Sequence, residues 1–277
     1  MAGEARADYD PFRDGPRGGI ALESGMACRI GWAVVVSVLG SAAMLSDAHA
    51  QTRGVIELFT SQGCSSCPPA DQLLGRFADD PAIVAMSLPI DYWDYLGWKD
   101  TLALPDNTAR QRGYARARGD MVYTPQVVVN GKAPVPGANE PAIAQALTET
   151  RSDPSILVVP VGLKLSGDEL AINIPAGSTA NGAQIWLCGL TGSMPVTIER
   201  GENRGHTLTY HNVIRHRLKL GNWTGTALNL HVPTADFVDS TVDRVAVIVQ
   251  VGTFDNPGPI LGAAIEPLGA VQAHTGP

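Results

Sequence analysis

Cysteine is scarce in this 277-residue chain: there are four, and a single pair, Cys64 and Cys67, has the Cys-x-x-Cys spacing. A zinc site takes about four ligands, usually from a second such pair or from nearby histidines, and neither is present. Dense runs of lysine or arginine are also lacking, which argues against nucleic acid or an anionic membrane as partner. The chain carries a formal charge of −7; beyond residue 50, sixteen basic residues face twenty-one acidic ones, leaving −5. No apolar run reaches the ~20 residues of a spanning helix. The longest uncharged apolar stretch is Ile30–Leu45. No Gly-x-Ser-x-Gly follows a strand, and no glycine loop is built to cradle phosphate, so the sequence offers neither a serine-hydrolase elbow nor a nucleotide site.

The first 50 residues read as an address. Met1–Ser24 is polar and glycine-rich, without periodicity. After Met26, Arg29 supplies a positive charge, the apolar run follows, and Ala48-His49-Ala50 ends in small residues where a signal peptidase cuts. We expect a signal peptide over residues 1–50, a true start at Met26, and cleavage between Ala50 and Gln51. The mature chain is then periplasmic or secreted, with no stable membrane span. Cys28 leaves with the signal, and Cys64–Cys67 meets an oxidising compartment.

What is present is concentrated in Gly54–Leu74, GVIELFTSQGCSSCPPADQLL. Val55–Phe59 has the composition of a buried strand, and Ala70–Phe77 that of a helix. Cys64-Ser65-Ser66-Cys67 lies between them, so the sulfurs sit close enough to bridge. With Cys64 near the N-cap, free N–H groups of the first turn would stabilise its thiolate. Pro68 is tolerated there, while Pro69 predicts an irregular first turn.

Ala82–Leu88 reads as a second buried strand, parallel to the first across the helix. It runs into Pro89–Asp100, where Trp93, Tyr95 and Trp98 sit among acids, either packing a long loop or walling a substrate site. Asp106–Arg118 is expected to be a helix closed by Gly119, its arginines forming a solvated basic face. Thr124-Pro125 opens the strand Val127–Val129, a place where an X-Pro bond can be cis. Asn130-Gly131 marks a hairpin returning through Ala133–Val135, and Asn139 caps a helix at Pro141–Thr150.

This order, with the CSSC at the first strand–helix turn and Thr124-Pro125 before the hairpin, resembles the thioredoxin-like superfamily over about residues 54–151. More narrowly, VIELFTSQGCSSCPPAD, DYWDYLGWKD, TPQVVVNG and GENRGHTLTYHNV are similar to an exported bacterial family, the domain of unknown function DUF1223. The superfamily resemblance implies that Cys64 is an exposed attacking thiol and Cys67 the resolving thiol. It also implies a cis Pro125 against the sulfurs, with the Thr124 backbone pairing to substrate. Glu57 falls roughly where such domains keep a buried acid for proton transfer, the alternative being a structural role. Gly63 before Cys64, the Ser-Ser pair and Pro68-Pro69 depart from an ordinary thioredoxin and leave redox direction open.

From Asp153 onward the texture is all β. Short runs alternate with turns such as Gly201-Glu202-Asn203-Arg204-Gly205 and predict a sandwich-like domain over 153–277. The expected fold class is thus an α/β thioredoxin-like domain, 51–152, followed by an all-β domain. Cys188 is expected to be a buried core thiol. The charged turn Arg200–Arg204 is expected to pack on the first domain, and His206, His211 and His216 do not converge. The sequence supports an exported thiol–disulfide oxidoreductase acting on protein thiols or disulfides, with no cofactor beyond its cysteines. Its rivals are an interaction module with a structural disulfide, and a soft-metal (copper) binder.

Overall fold

The computed structural model describes residues 51–179 and 182–269; the segment expected to be a signal peptide lies outside the described residues. Strand β1 (Gly54–Thr60) and strand β2 (Ile83–Pro89) are parallel, joined by helix α1 (Pro68–Ala78). Every residue of both strands is buried, which fits central strands covered on both faces. Helix α2 (Pro105–Arg118) follows, stopped by Gly119 at φ 73°. Strand β3 (Gln126–Val129) then pairs antiparallel with β1, and β4 (Ala133–Pro136) returns from it. The turn between them places Asn130 at φ 53° and Gly131 at φ 69°, the left-handed pair that the Asn-Gly dipeptide supplies. Helix α3 (Glu140–Arg151) begins where Asn139 Oδ1 accepts the Ala142 N–H.

The second half contributes β5 (Gly162–Ser166), β6 (Glu169–Ile174), β7 (Ala183–Thr197), β8 (Thr207–Trp223), β9 (Leu228–Pro233), β10 (Arg244–Thr253) and β11 (Asn256–Pro267). Here the expected fold class is overturned. The chain is not an α/β thioredoxin-like domain followed by a separate β domain. One mixed eight-stranded sheet runs through both halves in the order β11-β10-β7-β8-β2-β1-β3-β4, and β5-β6-β9 form a small second sheet. The seam is a parallel pairing of β2 with β8 at Ser87 and Val213, tied by Asn212 Nδ2 donating to the Ala85 carbonyl at 2.9 Å.

The correction has a physical cause. Four of the short runs expected here, Ala183–Cys188, Val196–Ile198, Thr207–Asn212 and Arg215–Leu220, are two long strands: β7 and β8 pair from Ala183–Trp223 to Thr197–Thr207, bending at two register shifts. That length carries the β7–β8 hairpin past the small second sheet and alongside β2.

The cores follow the sheet. One lies between the two sheets, with Leu170, Ile172 and Ile174 of β6 against Ile185, Leu187, Val245, Val247 and Trp223. A second spans both halves of the large sheet, joining Val55, Phe59, Met86 and Tyr114 to Leu190, Ile214, Ile248 and Cys188. A third sits under α1 and α3 and includes Leu58, Leu73, Leu74, Val127 and Ile143. Cys188 is a fully buried core thiol, and burial pushes it up to about 11.

The expected basic face of α2 also proves different at Arg110. Its guanidinium is fully buried and grips Glu57 with two bonds, Nε–Oε1 at 2.7 Å and Nη2–Oε2 at 3.0 Å. It donates as well to Tyr114 Oη, to Gln250 Oε1 of β10 and to the Phe254 carbonyl. The network therefore stitches the two halves through their shared core. Gly113 lets α2 approach this close, since a Cβ there would meet the Asp255 carbonyl at 2.2 Å.

Candidate functional site

The disulfide pair sits where β1 gives way to α1. Overlapping turns, Cys64 N–H to the Ser61 carbonyl and Cys67 N–H to the Cys64 carbonyl, wind the chain into the helix. Cys67, not Cys64, is the N-cap, so Pro68 and Pro69 fill the first two helical positions, where a missing N–H costs little. The first turn is regular after all. The N–H groups of Ala70 and Asp71 both point to the Cys67 carbonyl, at 2.8 and 3.2 Å. The N–H donors expected to stabilise a Cys64 thiolate are thus absent or engaged. The Cys64 sulfur has instead the Ser66 hydroxyl at 3.3 Å.

Cys64 and Cys67 are joined as a disulfide, with Cα atoms 5.4 Å apart. Most of the residues singled out in the sequence gather on the loop that carries it or on one another. The Thr124–Pro125 bond is cis, and the Ser66 hydroxyl donates to the Thr124 carbonyl at 3.5 Å. Trp93 Nε1 donates to Thr124 Oγ1 at 2.8 Å, and its Cβ packs on Gly63, where an added Cβ would lie 3.1 Å away. Trp98 Nε1 donates to Gln62 Oε1 at 2.7 Å. Tyr95, 78% exposed, stacks on Trp93 at 6.4 Å and 13°. Glu57 is not in this group; both its oxygens are held by Arg110 and Tyr114.

The disulfide is covered. Cys64 is 1% exposed and Cys67 0%. The tip of the β7–β8 hairpin reaches back over the loop through two residues of the charged turn expected to pack there. Asn203 Nδ2 donates to the carbonyls of Gln62 and Cys64, both at 2.9 Å, and Glu202 Oε2 accepts the exposed Ser65 N–H at 3.2 Å.

Two buried acids lie close by. Asp100 accepts N–H bonds from Gln62, Leu102 and Ala103, yet burial pushes its carboxyl up to about 6. Asp71, in the first turn of α1, is held well above the ordinary carboxylate range by burial and by Asp100, against the lowering effect of the Thr60 hydroxyl. Asp71 had a signal in the sequence: it falls four residues after Cys67, between Ala70 and Leu74 on the apolar stripe.

The three histidines lie apart: His216 pairs with Asp239, His206 turns back on the Asn203 carbonyl, and His211 packs on Gly75 of α1. Among the described residues no group of three or more His, Cys, Asp and Glu side chains could hold a metal ion. A cleft of about 560 Å³ near the C-terminal end of α1, lined by Ala78, Asp79, Arg244 and Glu266 among others, takes in none of the disulfide's neighbours.

Comparison with known proteins agrees with this fold. The X-ray structure of a protein from Agrobacterium tumefaciens is 35% identical, with a TM-score of 0.71 over 80% of this chain and 96% of that one. HBP35 of Porphyromonas gingivalis shares the fold alone, at 12% identity and a TM-score of 0.54, over 82% of this chain and 78% of that one. No curated protein matches. The family described as "Protein of unknown function (DUF1223)" matches residues 55–250, and the chain belongs to that family.

Proposed function

We propose that the protein is a thiol–disulfide oxidoreductase of an oxidising, extracytoplasmic compartment, exchanging the Cys64–Cys67 disulfide with protein thiols. One observation carries the reading: a disulfide between residues three apart sits at the start of a helix, beside the cis Thr124–Pro125 bond, with Trp93 bonded to Thr124 and stacked on the exposed Tyr95. In reduction of the pair, a partner thiolate attacks Cys64 Sγ. The S–S electron pair passes to Cys67 Sγ, leaving a mixed disulfide and one cysteine sulfur to be protonated. A second partner thiolate then displaces Cys64, and the partner leaves oxidised; the reverse sequence oxidises this chain. No group beyond the two cysteines is required.

Access is the condition on this chemistry. With Cys64 1% exposed and its carbonyl bonded to Asn203, the hairpin tip has to lift before a protein thiol reaches the sulfur. The same burial favours a second reading, in which the disulfide only staples the start of α1. Replacing Cys67 with serine and probing the native compartment separates the two. The exchange reading expects partners trapped on Cys64; the staple reading expects none, and a pair that resists reduction.

A further inference from the structure

Asp71 is a buried titratable group for which the fold gives no structural use. It is 3% exposed, the Thr60 hydroxyl is the one hydrogen-bonding group that acts on its carboxyl, and no cation stands among the groups that act on its charge. The elements packed around α1 supply Thr60 from β1, Asp100 from the loop before α2 and Tyr210 from β8. His211 of β8 packs on Gly75, one turn further along. The hydroxyl of Tyr210 is buried and unpartnered. A carboxylate kept only for stability would be capped by N–H groups, as Asp100 is. An interior of this kind accepts Asp71 neutral and resists it charged.

Its position relative to the disulfide is fixed by the helix. Asp71 stands four residues after Cys67, its N–H bonded to the Cys67 carbonyl at 3.2 Å. Residues four apart share a face, and helical side chains lean toward the N-terminus, so the carboxyl leans toward the Cys67 end of α1. Cys67 itself is fully buried, shut off from water as a proton source.

We infer that Asp71 is the proton donor and acceptor for Cys67, the resolving thiol; this rests on the exchange reading above. When a partner thiolate opens the disulfide at Cys64, the S–S electron pair goes to Cys67 Sγ and the Asp71 proton follows it. Cys67 is left as a thiol and Asp71 as a carboxylate. In the other direction, Cys67 attacks the mixed disulfide at Cys64 Sγ, expels the partner thiolate and returns its proton to Asp71. Atoms and electrons balance without another reactant. The aspartate has no compensating cation, so its charge is tolerated only transiently and drives the proton back.

The test uses the reduced full chain with 5,5′-dithiobis(2-nitrobenzoate). One thionitrobenzoate leaves when Cys64 attacks the reagent, and a second when Cys67 resolves the mixed disulfide. Cys188, fully buried, reports little on this timescale. In Asp71→Asn the first release is expected within about twofold of the parent and the second slower by about a hundredfold at neutral pH, the lower end of what a positioned acid–base group supplies. Asp71→Glu is expected to recover part of the second rate. Unchanged second-phase rates and an unchanged pH profile in Asp71→Asn overturn the inference. Should the variants not fold, the parent decides: its second phase is expected to inflect between the ordinary carboxylate and thiol ranges, and a single inflection at the thiol overturns the inference. Absence of any mixed disulfide at Cys64 in the parent instead removes the exchange reading, and the role of Asp71 with it.

Discussion

Replacing Arg110 with alanine removes the cation at the centre of the network that joins the two halves. Both partners of the ion pair are about 1% exposed, so solvent screening does little to soften the change. The variant loses two charge-assisted bonds to Glu57, one to Gln250 and one to the Phe254 carbonyl, and leaves the Glu57 carboxylate buried with Tyr114 as its remaining donor. Breaking a buried pair from one side costs about 3–5 kcal/mol, mostly through the stranded charge. For a domain of this size that corresponds to a fall in Tm of roughly 6–20 °C. The sign of the pH dependence follows. Without Arg110 the interior holds a carboxylate with no cation beside it, a charge that burial disfavours, so the variant is expected to keep most stability at lower pH and to lose it as pH rises. Urea unfolding between about pH 4.5 and pH 8 measures both effects. The double replacement Glu57→Leu/Arg110→Met, which removes both charges, is expected to recover much of the loss. An Arg110→Ala variant within about 1 kcal/mol of the parent, flat across that pH range, would refute the reasoning.

Asn203→Ala removes both bonds that hold the hairpin tip on the disulfide loop. At about 1–2 kcal/mol for the pair, opening becomes easier and reduction by dithiothreitol is expected to quicken about 5- to 30-fold. An unchanged stopped-flow rate would mean that this contact does not limit access. Asp100 gives a pH effect of defined sign. Its carboxyl is raised from 3.8 to about 6 by burial, so its contribution is fully present below about pH 4 and is lost as pH rises through about 6, an amount of about 3 kcal/mol. Relative to Asp100→Asn, the parent is expected to lose that much between about pH 4 and pH 7. A constant difference in denaturant midpoints would contradict it. Gly63→Ala puts a methyl 3.1 Å from Trp93 Cβ and is expected to shift Trp93 off Thr124, read as a changed tryptophan emission spectrum; an unaltered spectrum would show that the loop absorbs the methyl.

The local elements of the first half were legible because each carried its own signal. β1 and β2 are uninterrupted apolar runs, Gly119 and Asn139 sit at helix ends, and Asn130-Gly131 demands its turn. Partnering was not legible. A strand's sequence tells which faces are buried but not which edge it meets, so nothing in β8 announces that Val213 lies beside Ser87. The bulges that merge short runs into β7 and β8 were equally silent. Arg110 looked solvated because a basic helix usually is, and its partner Glu57 stands 53 residues away. The disulfide site was legible from the Cys-x-x-Cys at a strand–helix turn together with Thr124-Pro125. The turn that covers it was expected to pack on the first half, but not that Asn203, 139 residues downstream of Cys64, would hold the Cys64 carbonyl.

The most direct measurement is the reduction potential of the Cys64–Cys67 pair in residues 51–277, by equilibration with glutathione and dithiothreitol buffers, together with alkylation of the reduced chain. The account predicts a pair that equilibrates at or above about −270 mV, with Cys64 alkylated first. A potential below roughly −300 mV in a pair that resists both reduction and alkylation would make the disulfide a structural staple and contradict the exchange reading.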